Sequence, residues 1–195
     1  MGLNRQAKTL TRHQQSAMLS FLETTRHPLR NKLIFMLSVR AGLRAKEIAS
    51  ITWSMVTDAQ GVITDCLKLE NTASKGSSGG VIWLNSDLKQ CLIEYQQMCK
   101  FAHSSDRIVK TERGGETTAQ VIVNMFRGWY SKLGFDGCSS HSGRRTFITN
   151  ASRKISTVGG SLRDVQLLAR HSSLQTTQRY IEADIEAQKK VVQIV

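Results

Sequence analysis

Five short stretches of this sequence carry side chains suited to chemistry on a phosphate ester. Ala41-Gly42-Leu43-Arg44-Ala45-Lys46-Glu47-Ile48 sets an arginine where an apolar helix begins, with an acid one turn later. Lys75 stands in the loop Thr72-Ala73-Ser74-Lys75-Gly76-Ser77-Ser78-Gly79-Gly80. His141-Ser142-Gly143-Arg144-Arg145-Thr146-Phe147 spaces a histidine and an arginine to share a helical face. Leu168-Ala169-Arg170-His171-Ser172-Ser173-Leu174 holds a second histidine, and Thr176-Thr177-Gln178-Arg179-Tyr180-Ile181 then supplies a tyrosine. Breaking a phosphodiester with a protein nucleophile needs a hydroxyl that can attack phosphorus and hold it covalently, and the phenol of Tyr180 can do both. Charge gathers on two non-bridging oxygens in the transition state. The planar donor forks of Arg44 and Arg144 suit those oxygens better than lysine would. Fixed donors of this kind each contribute on the order of 10²–10³ in rate. A departing oxygen needs a proton, for which Lys75 is the natural donor.

Each residue also has a plainer reading. Arg44 can simply pair with Glu47, His141 and Arg144 can form a surface pair, and His171 can cap a helix. Lys75 can be an exposed loop lysine with Lys68 nearby, and a lone tyrosine is more often a packed aromatic. Glu47 reads as structural, orienting an arginine, and Arg145 and Arg179 read as phosphate contacts or solvated charge.

The elements that must position these groups are mostly helices. Residues 1–10 read as a loose basic lead-in. Thr11 and Gln14 form a capping box ahead of Ala17, Met18, Phe21 and Leu22. Pro28 marks the start of a second helix, punctuated by Gly42, and a third short helix runs from about Arg44 to Ile51. Val62-Ile63 and Cys66 to Leu69 read as short strands. With Val81 to Leu84 beyond the Ser/Gly loop, the latter forms a hairpin signature that carries Lys75 at its tip. Leu88, Cys91, Leu92, Tyr95 and Cys99 line one later helix face. Ile122, Met125, Phe126, Trp129 and Leu133 line another, which Gly134 ends. Ser161 and Asp164 form a second capping box, and residues 184–195 make a last amphipathic segment. The pattern predicts one predominantly helical α+β domain over residues 11–195 with a small antiparallel β-sheet.

Bulk properties set the context. The 195 residues suit one domain, and 40% apolar content suffices for a core. A formal net charge of +12, from 27 Lys/Arg against 15 Asp/Glu, favours a polyanionic partner such as nucleic acid. The longest purely apolar run, Leu33 to Leu37, is far below the roughly 20 residues a membrane span needs. Cys66, Cys91, Cys99 and Cys138 lack paired spacing, which suits free thiols in a reducing cytoplasm. No metal site is expected, because Cys99 and His103 have no accompanying second pair.

Taken in order, the A-G-L-R-x-x-E, H-x-x-R and H-S-S-L-x-T-T-x-x-Y stretches, with a lysine hairpin between the first two, resemble the tyrosine recombinases. That family includes phage integrases, chromosome-dimer resolvases and fimbrial-gene invertases. The similarity runs from about Ala41 to Ile181. It implies the catalytic-domain fold of DNA breaking-rejoining enzymes and a 3′-phosphotyrosine on Tyr180. Arg44, Lys75, His141, Arg144 and His171 would be its catalytic companions. By that similarity His141 assists proton transfer as the base and His171 donates a hydrogen bond to the phosphate. The implied partners are double-stranded DNA and further copies of the chain in a synaptic tetramer. No cofactor is expected, and the implied location is the bacterial cytoplasm beside the nucleoid.

Two departures stand out. The family usually has glycine before the second histidine, whereas this chain has Arg170. If that position has a positive φ, Arg170 strains the turn that aims His171; otherwise it offers one more phosphate contact. Most integrases also carry a separate helical domain ahead of the catalytic one, while here the residues before Arg44 read as part of the catalytic domain. The chain is then either a short recombinase, like the fimbrial invertases, or a fragment. Residues 184–195 are expected to dock on a neighbouring protomer or on their own core. Rival readings are a type IB topoisomerase, a non-catalytic DNA-binding regulator and a metal-independent ribonuclease using His141 and His171.

Overall fold

The computed structural model describes residues 7–73, 79–99, 103–112, 114–180 and 192–193. The loop position of Lys75 and most of residues 184–195 lie outside the described residues. Its helices are α1 (Arg12–Glu23), α2 (Pro28–Ala41), α3 (Ala45–Ser50), α4 (Ser86–Met98), α5 (Ala119–Lys132), α6 (Ser142–Lys154), α7 (Leu162–Ala169) and α8 (Leu174–Gln178). Two strands, β1 (Cys66–Leu69) and β2 (Gly80–Trp83), lie between α3 and α4.

Local signals in the sequence account for most of the helix ends. Thr11 and Gln14 exchange hydrogen bonds of 3.2 and 3.0 Å and start α1 as a reciprocal cap. Residues just before it are anchored rather than loose. Leu10 is buried, its N–H donates to Thr146 Oγ1 at 2.7 Å, and the Lys8 N–H reaches the Gly137 carbonyl. Pro28 occupies the first turn of α2, where its missing N–H costs nothing. Leu33, Ile34, Phe35 and Leu37 are all fully buried, so the middle of α2 is enclosed on every side. A helix of that kind belongs in the centre, and α1, α4 and α6 pack around it.

β1 and β2 pair antiparallel, with Leu67 opposite Ile82 and Lys68 opposite Val81. Leu67, Leu69 and Ile82 face the core, while Lys68, Val81 and Trp83 face outward, the period of two expected of a half-buried sheet. The strand read at Val62-Ile63 is only an isolated bridge from Ile63 to Thr57. Turn bonds through Asp58, which accepts from the N–H groups of Gln60 and Val62, compete with any longer ladder there.

The large apolar core joins α1 to α5 and the sheet. A second, much smaller one consists of Ile148, Val165 and Ala169, with Phe147, Ile155, Leu162 and Tyr180 against it. Among the described residues no helix is long and apolar enough to cross a membrane.

Candidate active site

Glu47 organises the site. It is fully buried on α3, and both its oxygens are engaged. Oε1 accepts from Arg44 Nη1 at 2.8 Å, while Oε2 accepts from the Arg44 backbone N–H and from Arg170 Nη2, each also at 2.8 Å. Arg44 is the residue that caps α3, so one carboxylate fixes the helix start and the guanidinium together. Burial alone would raise the Glu47 carboxyl. The Arg170 charge, the Arg44 N–H and the Arg44 and Arg144 charges outweigh it and hold the group below its ordinary range.

Arg144 enters from α6 and is 4% exposed. Its Nη1 donates to the Gly42 carbonyl at 2.6 Å and its Nη2 to the Ala169 carbonyl at 2.5 Å. It therefore bridges the turn before α3 to the end of α7, and each terminal nitrogen keeps a second N–H for an anion. Burial first, then the nearby Arg44 and Arg170 charges, push this guanidinium down to about 10, so it remains charged at neutral pH. Gly42 makes the approach possible. It sits at φ 64°, and a β-carbon there would collide with the Phe147 ring.

The second histidine follows directly. Ser161 and Asp164 cap α7 as read from the sequence, with Ser161 N–H and Oγ both 2.8 Å from Asp164 Oδ2. α7 ends at Arg170, whose φ of 53° and ψ of 47° are left-handed. Arg170 is the only non-glycine residue with positive φ among the described residues, so the strain expected at this position is present. Its side chain is 5% exposed and turned onto Glu47 rather than outward. His171 is then held by its carbonyl, which accepts from Gln166 Nε2 at 2.8 Å, and by Nδ1, 2.9 Å from Thr177 Oγ1. Burial, followed by the charges of Arg144, Arg44 and Arg170, lowers its pKa to about 4, leaving a neutral imidazole at neutral pH.

Tyr180 lies just beyond α8, and its half-buried ring stacks on His171 with centroids 5.4 Å apart at 28°. The Arg145 guanidinium sits 5.9 Å from the Tyr180 ring centroid, within cation–π range. Arg144 and Tyr180 are close enough for the phenol to act electrostatically on the guanidinium.

The fold thus gathers Arg44, Arg144, His171 and Tyr180, together with Arg145 and Arg170. His141 is exposed immediately before α6, and its carbonyl accepts the first helical bond from Arg145. Arg179 is exposed at the end of α8. The Lys75 assignment falls outside the described residues. The hairpin is nonetheless rooted beside the cluster, since a β-carbon on Gly80 would lie 3.7 Å from Arg170 Cδ.

Sequence reasoning missed Thr177 and Gln166 as supports of His171, and the Gly42 and Ala169 carbonyls as supports of Arg144. A threonine on the short helix α8, between histidine and tyrosine, was available as a signal; the carbonyls carry none, because every residue has one.

A model described as "Phage integrase family" matches residues 8–187. Tyrosine recombinase XerC of Brucella melitensis is 26% identical over 159 residues, 80% of this chain and 47% of that protein. Tyrosine recombinase XerD of Vibrio cholerae is 28% identical over 189 residues, 94% of this chain and 60% of the other. Among solved structures, the XerH site-specific recombinase bound to palindromic difH substrate superposes with a TM-score of 0.73. It shares 19% identity over 95% of this chain and 52% of that one, a likeness of fold. The chain spans roughly half the length of these relatives.

Proposed function

Since the chain belongs to the phage integrase family, we propose that it is the catalytic part of a tyrosine recombinase that cleaves and rejoins duplex DNA through Tyr180. The single observation that carries this reading is the gathering of Arg44 and Arg144 around His171, whose ring stacks on Tyr180, with Glu47 holding one arginine and backbone carbonyls the other.

In the proposed step the Tyr180 phenol oxygen attacks phosphorus and the bond to the 5′ oxygen breaks. A 3′-phosphotyrosine forms, and the 5′ oxygen leaves as a hydroxyl after taking a proton. Lys75 is assigned as that proton's donor and His141 as the base that accepts the phenol proton. Arg44 and Arg144 stabilise the charge on the non-bridging oxygens through rigid N–H forks. His171, neutral and hydrogen-bonded through Nδ1, offers Nε2–H to the same phosphate when the Thr177 hydroxyl donates to Nδ1. Rejoining is the reverse step with a 5′ hydroxyl from another strand, so the phosphodiester's energy is kept and no nucleotide cofactor is consumed. Arg145 and Arg179 are assigned to neighbouring phosphates, further copies of the chain to the synaptic assembly, and the site of action to the nucleoid.

A suicide duplex, whose cleaved 5′ end diffuses away, tests the reading. Wild-type protein should give a covalent protein–DNA adduct on a denaturing gel in EDTA, joined through a 3′-phosphotyrosine, and Tyr180→Phe should give none. An adduct of undiminished yield from Tyr180→Phe, or no adduct from wild type on any duplex it binds, would contradict it.

A further inference from the structure

We propose that Arg170 is a positioning residue, which fastens the His171 end of α7 to Glu47 and through it to Arg44, an inference that rests on the recombinase reading. Three observations carry it. The backbone at 170 is left-handed, a conformation glycine adopts freely and an L-residue adopts only at a cost. The guanidinium is taken out of water to 5% exposure, with only Nη2 bonded, on Glu47 Oε2 at 2.8 Å. Among the described residues its Nε and Nη1 are buried without a hydrogen-bond partner. Strain, desolvation and two unsatisfied donors all oppose folding, and a buried ion pair seldom outweighs such terms. Arg170 offsets the burial of Glu47, but Arg44 is already paired with that carboxylate, so what sets Arg170 apart is what its side chain connects.

What it connects is specific. Arg170 Nη2 meets the same carboxylate oxygen that receives the Arg44 N–H. One residue back, the Ala169 carbonyl is held by Arg144; one residue on stands His171, stacked on Tyr180. Residues 169–171 are thus tied to residues 42–47 by two guanidiniums. Without the second, the imidazole could swing relative to Arg44 about the bonds of the turn. Misplacement by about 1 Å in such a site costs on the order of 10²-fold in rate. The side chain also keeps a positive charge beside His171, adding to those of Arg144 from α6 and Arg44 from α3.

Arg170→Gly isolates the side chain, because glycine keeps the left-handed turn without strain. The variant should stay folded, glycine's relief of the turn offsetting part of the compensating charge that Glu47 loses, and bind duplex with little loss, yet form the covalent adduct at least about tenfold more slowly. In the DNA-free protein, the His171 imidazole resonances, assigned by their loss in His171→Gln, should titrate at higher pH than in wild type. An unshifted His171 titration, a wild-type cleavage rate, or a drop in melting temperature large enough to account for the slower cleavage overturns the proposal. The two readings separate cleanly. A wild-type protein that forms no adduct tells against the recombinase assignment, whereas the titration needs no DNA and judges Arg170 alone.

Discussion

A neutral histidine is useful to a phosphate only if the correct nitrogen carries its proton, and at His171 that choice falls to Thr177. The threonine is fully buried, its Oγ1 lies 2.9 Å from Nδ1, and no pH change near neutrality can protonate both nitrogens of a group whose pKa is near 4. Thr177→Val keeps the shape and removes the hydroxyl. It should slow adduct formation by roughly tenfold or more, the scale of a misassigned proton, while duplex affinity in a filter or gel-shift assay stays within about twofold. Equal cleavage rates would mean that His171 finds its tautomer unaided. At this scale the sequence was most informative. Arg44, Arg144, His171 and Tyr180 were legible because their types and spacing are rare together, and Glu47 because an acid one turn after a helix-capping arginine has a geometric partner ready. Arg170 was legible as an anomaly but not as a partner of Glu47, since 123 residues separate them and only tertiary packing brings them to 2.8 Å.

Among the elements, the turn joining α2 to α3 bears the most conflicting demands. Gly42 must be left-handed, must let the Phe147 ring pass, and must aim its carbonyl at Arg144 Nη1. Gly42→Ala introduces a side chain into the first two requirements and displaces the third. The left-handed penalty alone is about 1–2 kcal/mol for an L-residue. At about 2–4 °C per kcal/mol for a chain of this size, calorimetry should show a melting temperature lower by several degrees. Cleavage should fall further than stability explains, because Arg144 loses one of its carbonyl anchors. Helix starts were readable in advance at the capping boxes of Thr11 and Ser161 and at Pro28, whereas the caps Asn85 and Thr118 were not read. The hairpin was readable from apolar runs flanking a Ser/Gly loop. The strand expected at Val62 was not formed, because a run of two apolar residues cannot outcompete the Asp58 turn that captures the N–H groups of Gln60 and of Val62 itself.

At the scale of the whole molecule, the two apolar cores divide the chemistry between them. Arg44 stands between Leu43 and Ile48, both sealed in the large core, whereas Tyr180 rests against three buried residues of α6 and α7. Local stability follows buried apolar contact, so the second unit should open at lower free energy than the first. Hydrogen–deuterium exchange should show amides of α7 and α8 exchanging ahead of those of α2, without global unfolding. Simultaneous exchange of all three would mean that the cores act as one. No hydrophobic pattern in the sequence announced this division, since nothing in the types of Ile148, Val165 and Ala169 says which core they join. Its consequence is an asymmetry of repair and damage. Warmth or a protease should first release Tyr180 together with His171 and the Ala169 anchor of Arg144, while Arg44 and Glu47 stay fixed beside the large core, so a chain that works as proposed would fall silent well before it unravels.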